Sequence, residues 1–420
     1  MRDGLVRVVG VDCAEERHVA VLLDAGGEVE HTVEIGNSRE EIEEALGSVL
    51  LRLPAGAMLC VAVESQRSHG RLVADCARLL GCGLVEVNPT ALDRFRKVEG
   101  LSNKTDAVDA FLLARITFFR HGGAREAVEY TPQERAIQQL TKLSDQITLD
   151  RSRAVLRLRA LMLEVAPELL REGSGLPAVD SRSMLGLLER WPGLEGLGRA
   201  HQGSIVRVLR QHRCRGDLGA VARRLRELAR TIALPRLERR ALTVSIQHQV
   251  ERILLCEGEL AQINGELRTA VEGDPDGVRL LEMPGVGVKT AAALLGWYRP
   301  IAVRATEAQA AAYAGLTPIS RSSGKTTGRD HLSRRVNKKL LHALYLSAVA
   351  SLRASAIDRA YYEKKKLGYT GHPKPHTAAI IALARQRIKV MYQIVAQGER
   401  YDREKLFARH LERERRAAVA

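Results

Sequence analysis

The sequence lacks several features that mark common classes of protein. No apolar run approaches the roughly 20 residues needed to span a bilayer, and the first residues, MRDGLVRVVGVD, contain no signal-peptide core or cleavage site. The six cysteines are scattered, with no CxxC pair and no histidine at zinc-ligand spacing. We therefore expect a cytoplasmic protein that makes no use of a membrane, with free thiols and no structural metal.

A nucleotide-binding P-loop is also missing. The segment SRSSGKTTGRD contains a Gly-Lys pair, but a Walker loop needs a glycine five positions before Gly324, where the chain has Ile319. Ser322 and Ser323 lie instead among cations that could stabilise the negative charge developing when a hydroxyl attacks a phosphodiester. The alternative is a serine-rich basic loop that only binds phosphate. The cations are Arg321, Lys325, Arg329, Arg334, Arg335 and Lys338.

Positive charge is in excess at one end of the chain only. The net charge is +15, and residues 321–420 hold 23 lysines and arginines against 8 acidic residues, which accounts for the whole excess. This one-ended surplus favours a polyanionic partner, most simply nucleic acid. Solubilising charge on a helical surface is the alternative.

The pattern of apolar residues divides the 420-residue chain into regions. Residues 5–125 show three strand signals followed by alternating helices and strands, which predicts a mixed α/β sheet in the order of the ribonuclease H-like fold. Heptad spacing over residues 137–161 and 242–267 predicts two long helices that pair as a coiled coil, within one chain or between two. The remainder is mostly helical.

We predict four regions on this basis. They are an α/β nuclease-like domain at residues 1–128, a helical linker and oligomerisation region at 129–275, an all-α domain at 276–400 and a basic charged tail at 401–420.

Four acidic residues form the candidate metal site. Asp12 and Glu64 close the first and fourth predicted strands, which are central neighbours in the predicted sheet. Asp106 and Asp109 are three residues apart on one helix, where like charges repel. A cation between these carboxylates would relieve the repulsion, and Mg²⁺ is the hard, oxygen-seeking choice. Taken singly, Asp12 could be a strand-end turn residue and Asp106 a helix N-terminal acid.

The segment MPGVGVKT predicts a glycine hairpin between two helices. Gly285 and Gly287 would direct backbone amides at a DNA phosphate, and Lys289 would add charge, as in a helix-hairpin-helix motif. A plain glycine turn between packed helices is the alternative.

Together these motifs resemble the IS110-type insertion-sequence transposases, which include the Piv-like DNA invertases. The resemblance covers residues 5–125 and 275–395 and rests on VVGVDCAEERHVAVL, VAVES, NKTDAVDA, MPGVGVKTAAALL, AAYAGLTPISRSSGKTTGRDHLS and NKKLLHALYLSA. It implies a RuvC-like nuclease domain whose DEDD tetrad binds Mg²⁺. The tetrad would be Asp12, Glu64, Asp106 and Asp109.

The resemblance also implies a C-terminal domain whose serine, Ser323 here, forms a covalent phosphoserine link to DNA during strand exchange. Members assemble as homodimers or homotetramers, and some are guided by a structured bridge RNA. This chain departs from the pattern at Lys325, where many relatives carry a second glycine, and Ser322 is an adjacent alternative nucleophile.

The predicted function is DNA transposition or site-specific recombination. One alternative is a Piv-like invertase, and another is a RuvC-like structure-specific endonuclease that uses metal-activated water, with Ser323 only holding phosphate. A scaffold that binds nucleic acid without cleaving it is the alternative from outside the enzymes.

Overall fold

The computed structural model describes residues 6–101, 103–120, 123–171, 173–232, 234–319, 331–332, 336–370 and 372–402. The chain divides into two compact units, Met1–Glu129 and Tyr130–Ala420. The further boundaries predicted near residues 275 and 400 lie inside the second unit and stay predictions. The predicted charged tail from residue 403 onward lies outside the described residues.

The first unit is a mixed sheet flanked by helices. Its strands are β1 (Val6–Asp12), β2 (Arg17–Leu23), β3 (Val29–Gly36), β4 (Met58–Val63), β5 (Gly83–Val87) and β6 (Ala124–Glu126). Its α-helices are α1 (Arg39–Arg52), α2 (Arg71–Leu79), α3 (Pro89–Val98) and α4 (Asp106–Phe118).

The strand order is β3-β2-β1-β4-β5-β6. Strands β1 to β3 are antiparallel neighbours, β4 and β5 continue the sheet in parallel with β1, and β6 is an antiparallel edge. This order confirms the predicted ribonuclease H-like sheet, in which the first and fourth strands are central neighbours. Strand β6 was not predicted, because a three-residue strand is too short to show a periodic pattern.

Both faces of the central strands are covered, which explains their continuous apolar sequences. Val9 and Val61 pack on one face in a core with residues of α1 and α2. Val8 and Ala62 point to the other face, where they pack with residues of α3 and α4. The sheet therefore lies between two helical layers, and its strand ends are held from both sides.

Helix α4 lies directly on β1 because residue 10 has no side chain. A Cβ atom at Gly10 would lie 2.5 Å from the amide nitrogen of Ala114 and still closer to the carbonyl oxygen of Ala110. Both atoms belong to the helix backbone, so no side chain can turn aside to make room. The contact fixes α4 against the strand that ends at Asp12.

The second unit is almost entirely helical. Its α-helices are α5 (Pro132–Val165), α6 (Arg182–Arg190), α7 (Glu195–Arg199), α8 (Gln202–Gln211), α9 (Leu218–Thr231), α10 (Arg236–Glu272), α11 (Pro275–Leu281), α12 (Val288–Ala293), α13 (Arg299–Ala302), α14 (Glu307–Tyr313), α15 (Lys338–Ala354), α16 (Ala356–Gly368) and α17 (Pro375–Gln397). A π-helical turn spans Leu294–Tyr298, and a two-stranded sheet pairs β7 (Pro318–Ile319) with β8 (His331–Leu332).

The two long helices predicted from heptad spacing are α5 and α10, which pack side by side in the same chain. Residues of the predicted seams, including Ile147 and Ile263, are buried. One end of the pair packs with α6 to α9 around Leu158 and Ile246, and the other packs with α11 to α17 around Ile137 and Leu267. Supercoiling of the pair stays a prediction.

A buried ion network fixes the start of α5 to the C-terminal helices. Arg299 donates to the carboxylates of Glu134 (3.2 Å) and Asp274 (2.7 Å). Glu134 and Asp274 are both buried, at 5% exposure each. Because a buried charge without a partner is costly, all three groups must keep this arrangement.

Two expectations about composition can be compared with the structure. All six cysteines are free, as predicted. Within the described ranges no single helix is long and apolar enough to cross a membrane, and only α15 with α16, bent by 113°, passes the same test when joined.

Gly10→Ala is expected to destabilise the first unit by about 3 kcal/mol, because the new methyl group overlaps the backbone of α4. Urea unfolding followed by circular dichroism measures the loss. Gly47→Ala in α1 is the matched control, since a Cβ there meets no atom within 4 Å. The control should gain roughly 0.5–1 kcal/mol. A Gly10→Ala protein as stable as the control would contradict the packing argument.

Candidate active site

Two of the four predicted acids lie at the ends of adjacent parallel strands. Val11 of β1 is opposite Val63 of β4, so Asp12 and Glu64 are the next residues along the two strands. Asp12 is half-buried, whereas Glu64 is exposed. The parallel register therefore places both carboxylates at the same edge of the sheet, as the sequence predicted.

The other two acids are in the first turn of α4. Thr105 caps this helix by accepting a hydrogen bond from the amide of Val108 (3.3 Å). Asp106 is exposed and Asp109 is buried. Acids in a first turn are favoured by the helix dipole, so their position alone has a structural explanation. The contact at Gly10 nevertheless sets this turn beside the end of β1.

The electrostatics of Asp12 reflect the three other acids. Burial, followed by the charges of Asp109, Asp106 and Glu64, raises the pKa of Asp12 from its ordinary value of 3.8 to about 6, against an opposing effect of Lys104. Burial also raises the pKa of the neighbouring thiol, Cys13, to about 12, with contributions from Asp12 and Glu64. Asp109, Asp106 and Glu64 therefore all lie close enough to Asp12 to act on it electrostatically.

One residue of this region was missed by the sequence analysis. Arg96 of α3 forms an ion pair with Asp109 and a second with Asp93, at 3.0 Å. The side chains of Arg96 and Asp109 are only 12% and 9% exposed. The segment RFRKVEG showed a basic helix end but gave no sign that one arginine points back to the acids.

The residues fit a divalent cation by chemistry, although their side chains are not arranged around one. Among the described residues, no group of three acidic, histidine or cysteine side chains is positioned to hold a metal ion. The donors are carboxylate oxygens, which Mg²⁺ prefers. Glu64 and Asp106 are exposed, so rotamer changes could bring them towards Asp12 without repacking a core. Asp109 would have to bind the cation while it remains paired with Arg96, or its ion pair with Arg96 would have to break.

The predicted glycine hairpin joins α11 and α12, and its two glycines differ. Gly285 has a positive φ of +78°, and a Cβ there would lie 2.5 Å from the amide nitrogen of Ser351 in α15. Gly287 and Lys289 are exposed. The need for Gly285 is therefore explained by packing, which was the alternative interpretation. A phosphate-binding role stays a prediction for Gly285, Gly287 and Lys289.

A buried arginine holds this hairpin in place. Arg387 of α17 donates to the carbonyl oxygen of Pro284 (2.6 Å) and to the hydroxyl of Ser347 (3.1 Å), and it pairs with the buried Asp358 of α16. Arg387 is 1% exposed. The turn is thus fixed by three helices that follow it in the chain.

The predicted serine loop lies outside the described residues, together with most of its cations. The residues concerned are Arg321, Ser322, Ser323, Lys325, Arg329, Arg334 and Arg335. Lys338 is described, and it is exposed at the start of α15.

Comparison with known proteins identifies similar chains. A family model described as a transposase, of the DEDD IS110 type, matches residues 9–167, and a second, described as the transposase IS116/IS110/IS902 family, matches residues 278–363. The chain is 27% identical over 401 residues to an uncharacterised 43.6 kDa protein of insertion element IS110 from Streptomyces coelicolor, covering 94% of this chain and 95% of that protein.

Two further similarities were found. A 44.8 kDa protein of insertion element IS116 from Streptomyces clavuligerus is 26% identical over 400 residues, which is 92% of this chain and 94% of that protein. Among solved structures, T. thermophilus RuvC in complex with a Holliday junction substrate aligns with 17% identity and a TM-score of 0.23, covering 29% of this chain and 99% of that chain.

Gly285→Ala is expected to lower the free energy of unfolding of the second unit by about 3 kcal/mol, from the positive φ and the contact with α15. Gly287→Ala is the matched control, because a Cβ there meets nothing within 4 Å. Because Gly287 is the N-cap of α12, where alanine is disfavoured, this change should cost no more than about 1 kcal/mol. Both tryptophans, Trp191 and Trp297, are in the second unit, so their fluorescence during urea unfolding reports on it. Equal losses for the two variants would contradict the packing explanation.

Proposed function

The chain belongs to the IS110/IS116/IS902 family of transposases, enzymes of DNA cleavage and strand transfer, and we propose that it acts through a metal-binding acid tetrad and a covalent serine link to DNA. The tetrad consists of Asp12, Glu64, Asp106 and Asp109, and the serine is Ser323. The domain named for its DEDD residues implies a divalent metal, for which we propose Mg²⁺.

The observation that supports the tetrad is that three of its carboxylates act electrostatically on the fourth, Asp12. Asp12 is half-buried at the end of a central strand, and the charges of the other three all raise its pKa. Carboxylates that were spread over the surface of the domain would not raise the pKa of one of their number in this way. A cluster that repels itself is a site at which binding of a cation lowers the free energy.

Each acid has a distinct position from which to act. Asp12 and Glu64 are held at the sheet edge by the parallel register of β1 and β4. Asp109 is buried in the first turn of α4, and Asp106 is exposed on the same turn. Mg²⁺ bound to these carboxylates would supply positive charge to a scissile phosphate and to the oxygen that leaves it. The protein residues hold the site in place and exclude part of the water.

The proposed covalent step exchanges one phosphoester for another. The hydroxyl oxygen of Ser323 attacks the scissile phosphorus, a bond forms between them, and the bond to the departing DNA oxygen breaks. The serine proton is removed and the departing oxygen is protonated to a DNA hydroxyl. Attack of a DNA hydroxyl on the phosphoserine reverses the step on a new strand, so no ATP is required, in agreement with the missing P-loop.

Positive charge in the second unit supports binding of DNA. Residues 321–420 hold the whole excess of +15, and the exposed lysines described there include Lys338, Lys364, Lys366 and Lys374. These lysines would contact phosphates, and such contacts do not distinguish one base sequence from another. We extend the proposal to a guide RNA of the bridge type, which presents the same phosphate chemistry.

Replacing Ser323 by Ala is expected to remove the covalent protein–DNA adduct and to lower strand exchange by about a thousandfold or more, because the nucleophile is lost. End-labelled DNA on a denaturing gel detects the adduct. Ser322→Ala is the matched control and should retain it. Asp12→Asn should abolish both adduct and cleavage while leaving DNA binding intact.

Three outcomes would each favour one of the alternatives. Cleavage without an adduct in Ser323→Ala would favour a RuvC-like endonuclease that uses water. Intact DNA with both the wild type and Asp12→Asn, in the presence or absence of Mg²⁺, would favour a scaffold that does not cleave. Inversion of the segment between two sites, with no excision, would favour the Piv-like alternative.

A stripe of exposed leucines on α5 supports assembly of more than one copy. Leu149, Leu156 and Leu163 are 57%, 66% and 61% exposed, and a spacing of seven residues places them on one side of the helix. This stripe is distinct from the seam that α5 buries against α10. We propose that a second copy of the chain covers it in a homodimer, from which a tetramer could form.

Leu156→Lys is expected to weaken dimerisation at least about a hundredfold, since the change removes roughly 1.5–3 kcal/mol of apolar burial from each of two copies. Light scattering during size-exclusion chromatography, over a range of protein concentrations, gives the mass. Leu51→Lys in α1 is the control, because Leu51 is 90% exposed and belongs to no stripe. A wild-type protein that remains a monomer at all concentrations would exclude the proposed dimer.

A further inference from the structure

Arg96 is the one side chain of opposite charge in direct contact with the predicted tetrad among the described residues. It lies on α3, thirteen positions before Asp109, and bonds to that carboxylate through Nη2. Its Nη1 atom bonds to Asp93, one turn earlier on the same helix, at 3.0 Å. The guanidinium is therefore shared between a buried acid of the candidate site and an exposed acid outside it.

The surroundings of Asp109 explain why a cation is required there. The Asp109 side chain is 9% exposed, and a buried carboxylate with no partner is strongly destabilising. Asp106 lies three residues earlier on the same helix, and the charge of Asp109 acts on Asp12. Arg96 is therefore a cation within the chain that offsets part of the unfavourable free energy of the acid cluster.

The two partners of Arg96 differ in exposure, and this difference matters. The side chain of Asp93 is 67% exposed, against 9% for Asp109. If Arg96 leaves Asp109, its Nη1 contact with Asp93 can persist, so the guanidinium keeps one ion pair and gains water. Its Nε atom is buried and has no hydrogen-bond partner in the described structure, so this position is not fully satisfied even when both ion pairs are formed. Release is thus less costly than for an arginine with a single buried partner.

We propose that Arg96 is a built-in competitor of the divalent cation, neutralising Asp109 while the site is empty of metal and yielding carboxylate oxygen as a cation binds. The inference rests on the proposed function, because it takes Asp109 as a metal ligand. Arg96 is accordingly a positioning residue. It sets the concentration of metal at which the site is occupied, and it keeps the acid cluster folded when no metal is bound.

The test is titration of the full-length protein with Mg²⁺ or Mn²⁺ in the absence of DNA, followed by calorimetry and by the thermal melting temperature. Arg96→Gln keeps an amide donor to Asp109 but removes the charge. A unit charge a few ångströms from a divalent ion changes its binding by about tenfold even at the dielectric constant of water. We therefore expect Arg96→Gln to bind metal about tenfold more tightly than the wild type. In the absence of metal its melting temperature should be lower than that of the wild type.

Arg115→Gln is the matched control. Arg115 belongs to α4 and pairs with Glu99, directly after α3, at 3.7 Å, and with Glu28 at 3.5 Å. It joins the same two helices without touching the acid tetrad. This variant should lose stability yet bind metal with wild-type affinity.

A second variant, Asp93→Asn, changes an exposed residue and should fold normally. It removes the partner to which Arg96 can retreat, so metal should bind several-fold more weakly. The opposite shifts of Arg96→Gln and Asp93→Asn are not expected from a purely structural clamp.

The inference fails while the proposed function stands if the wild type binds metal and Arg96→Gln binds it with unchanged or weaker affinity. Unchanged affinity would make Arg96 a clamp between helices, and weaker affinity would make it a group that orients Asp109. If neither the wild type nor any variant responds to Mg²⁺ or Mn²⁺, the metal site itself fails, and the inference fails with it.

Discussion

The close contact between α4 and β1 is the constraint on which the candidate site depends. Gly10 allows the helix backbone to lie on the strand, where any larger residue would overlap the carbonyl of Ala110. That contact brings the first turn of α4 to the end of β1, and the parallel pairing of β1 with β4 adds Glu64. Three segments far apart in sequence therefore meet through one strand pairing and one position that lacks a side chain.

Much of this arrangement could be predicted from the sequence, because strand order and strand ends follow from local apolar patterns. The convergence of Asp12 with Glu64 needed only the order of the strands and their direction. Arg96 and Gly10 could not be found in this way, since their roles arise from contacts between elements and periodicity describes only one element at a time. Gly285 shows the same limit, because its packing against α15 could not be found from the sequence, and its predicted contact with phosphate stays a prediction.

The second unit uses buried ion pairs to fix helices whose apolar surfaces alone would allow several arrangements. Arg299 ties the starts of α5 and α11, and Arg387 ties the hairpin at Pro284 to α15 and α16. Apolar contacts are not directional, whereas each guanidinium donates hydrogen bonds only to acceptors that lie near its own plane. The start of α5 is thereby held in one geometry against the helices that follow α10.

The balance of charge at the end of β1 decides what this site is built to hold. Two like charges 4 Å apart cost about 1 kcal/mol in water and about 4 kcal/mol near a protein surface. The dipole of α4 returns only about 0.3–1 kcal/mol to each acid in its first turn. Arg96 is committed to one acid, and Lys104 acts on Asp12 from an exposed position. The chain's own groups thus leave the cluster with a net negative charge. We propose that binding of a divalent cation to this charge stabilises the site by more than the loss of the Arg96–Asp109 ion pair destabilises it.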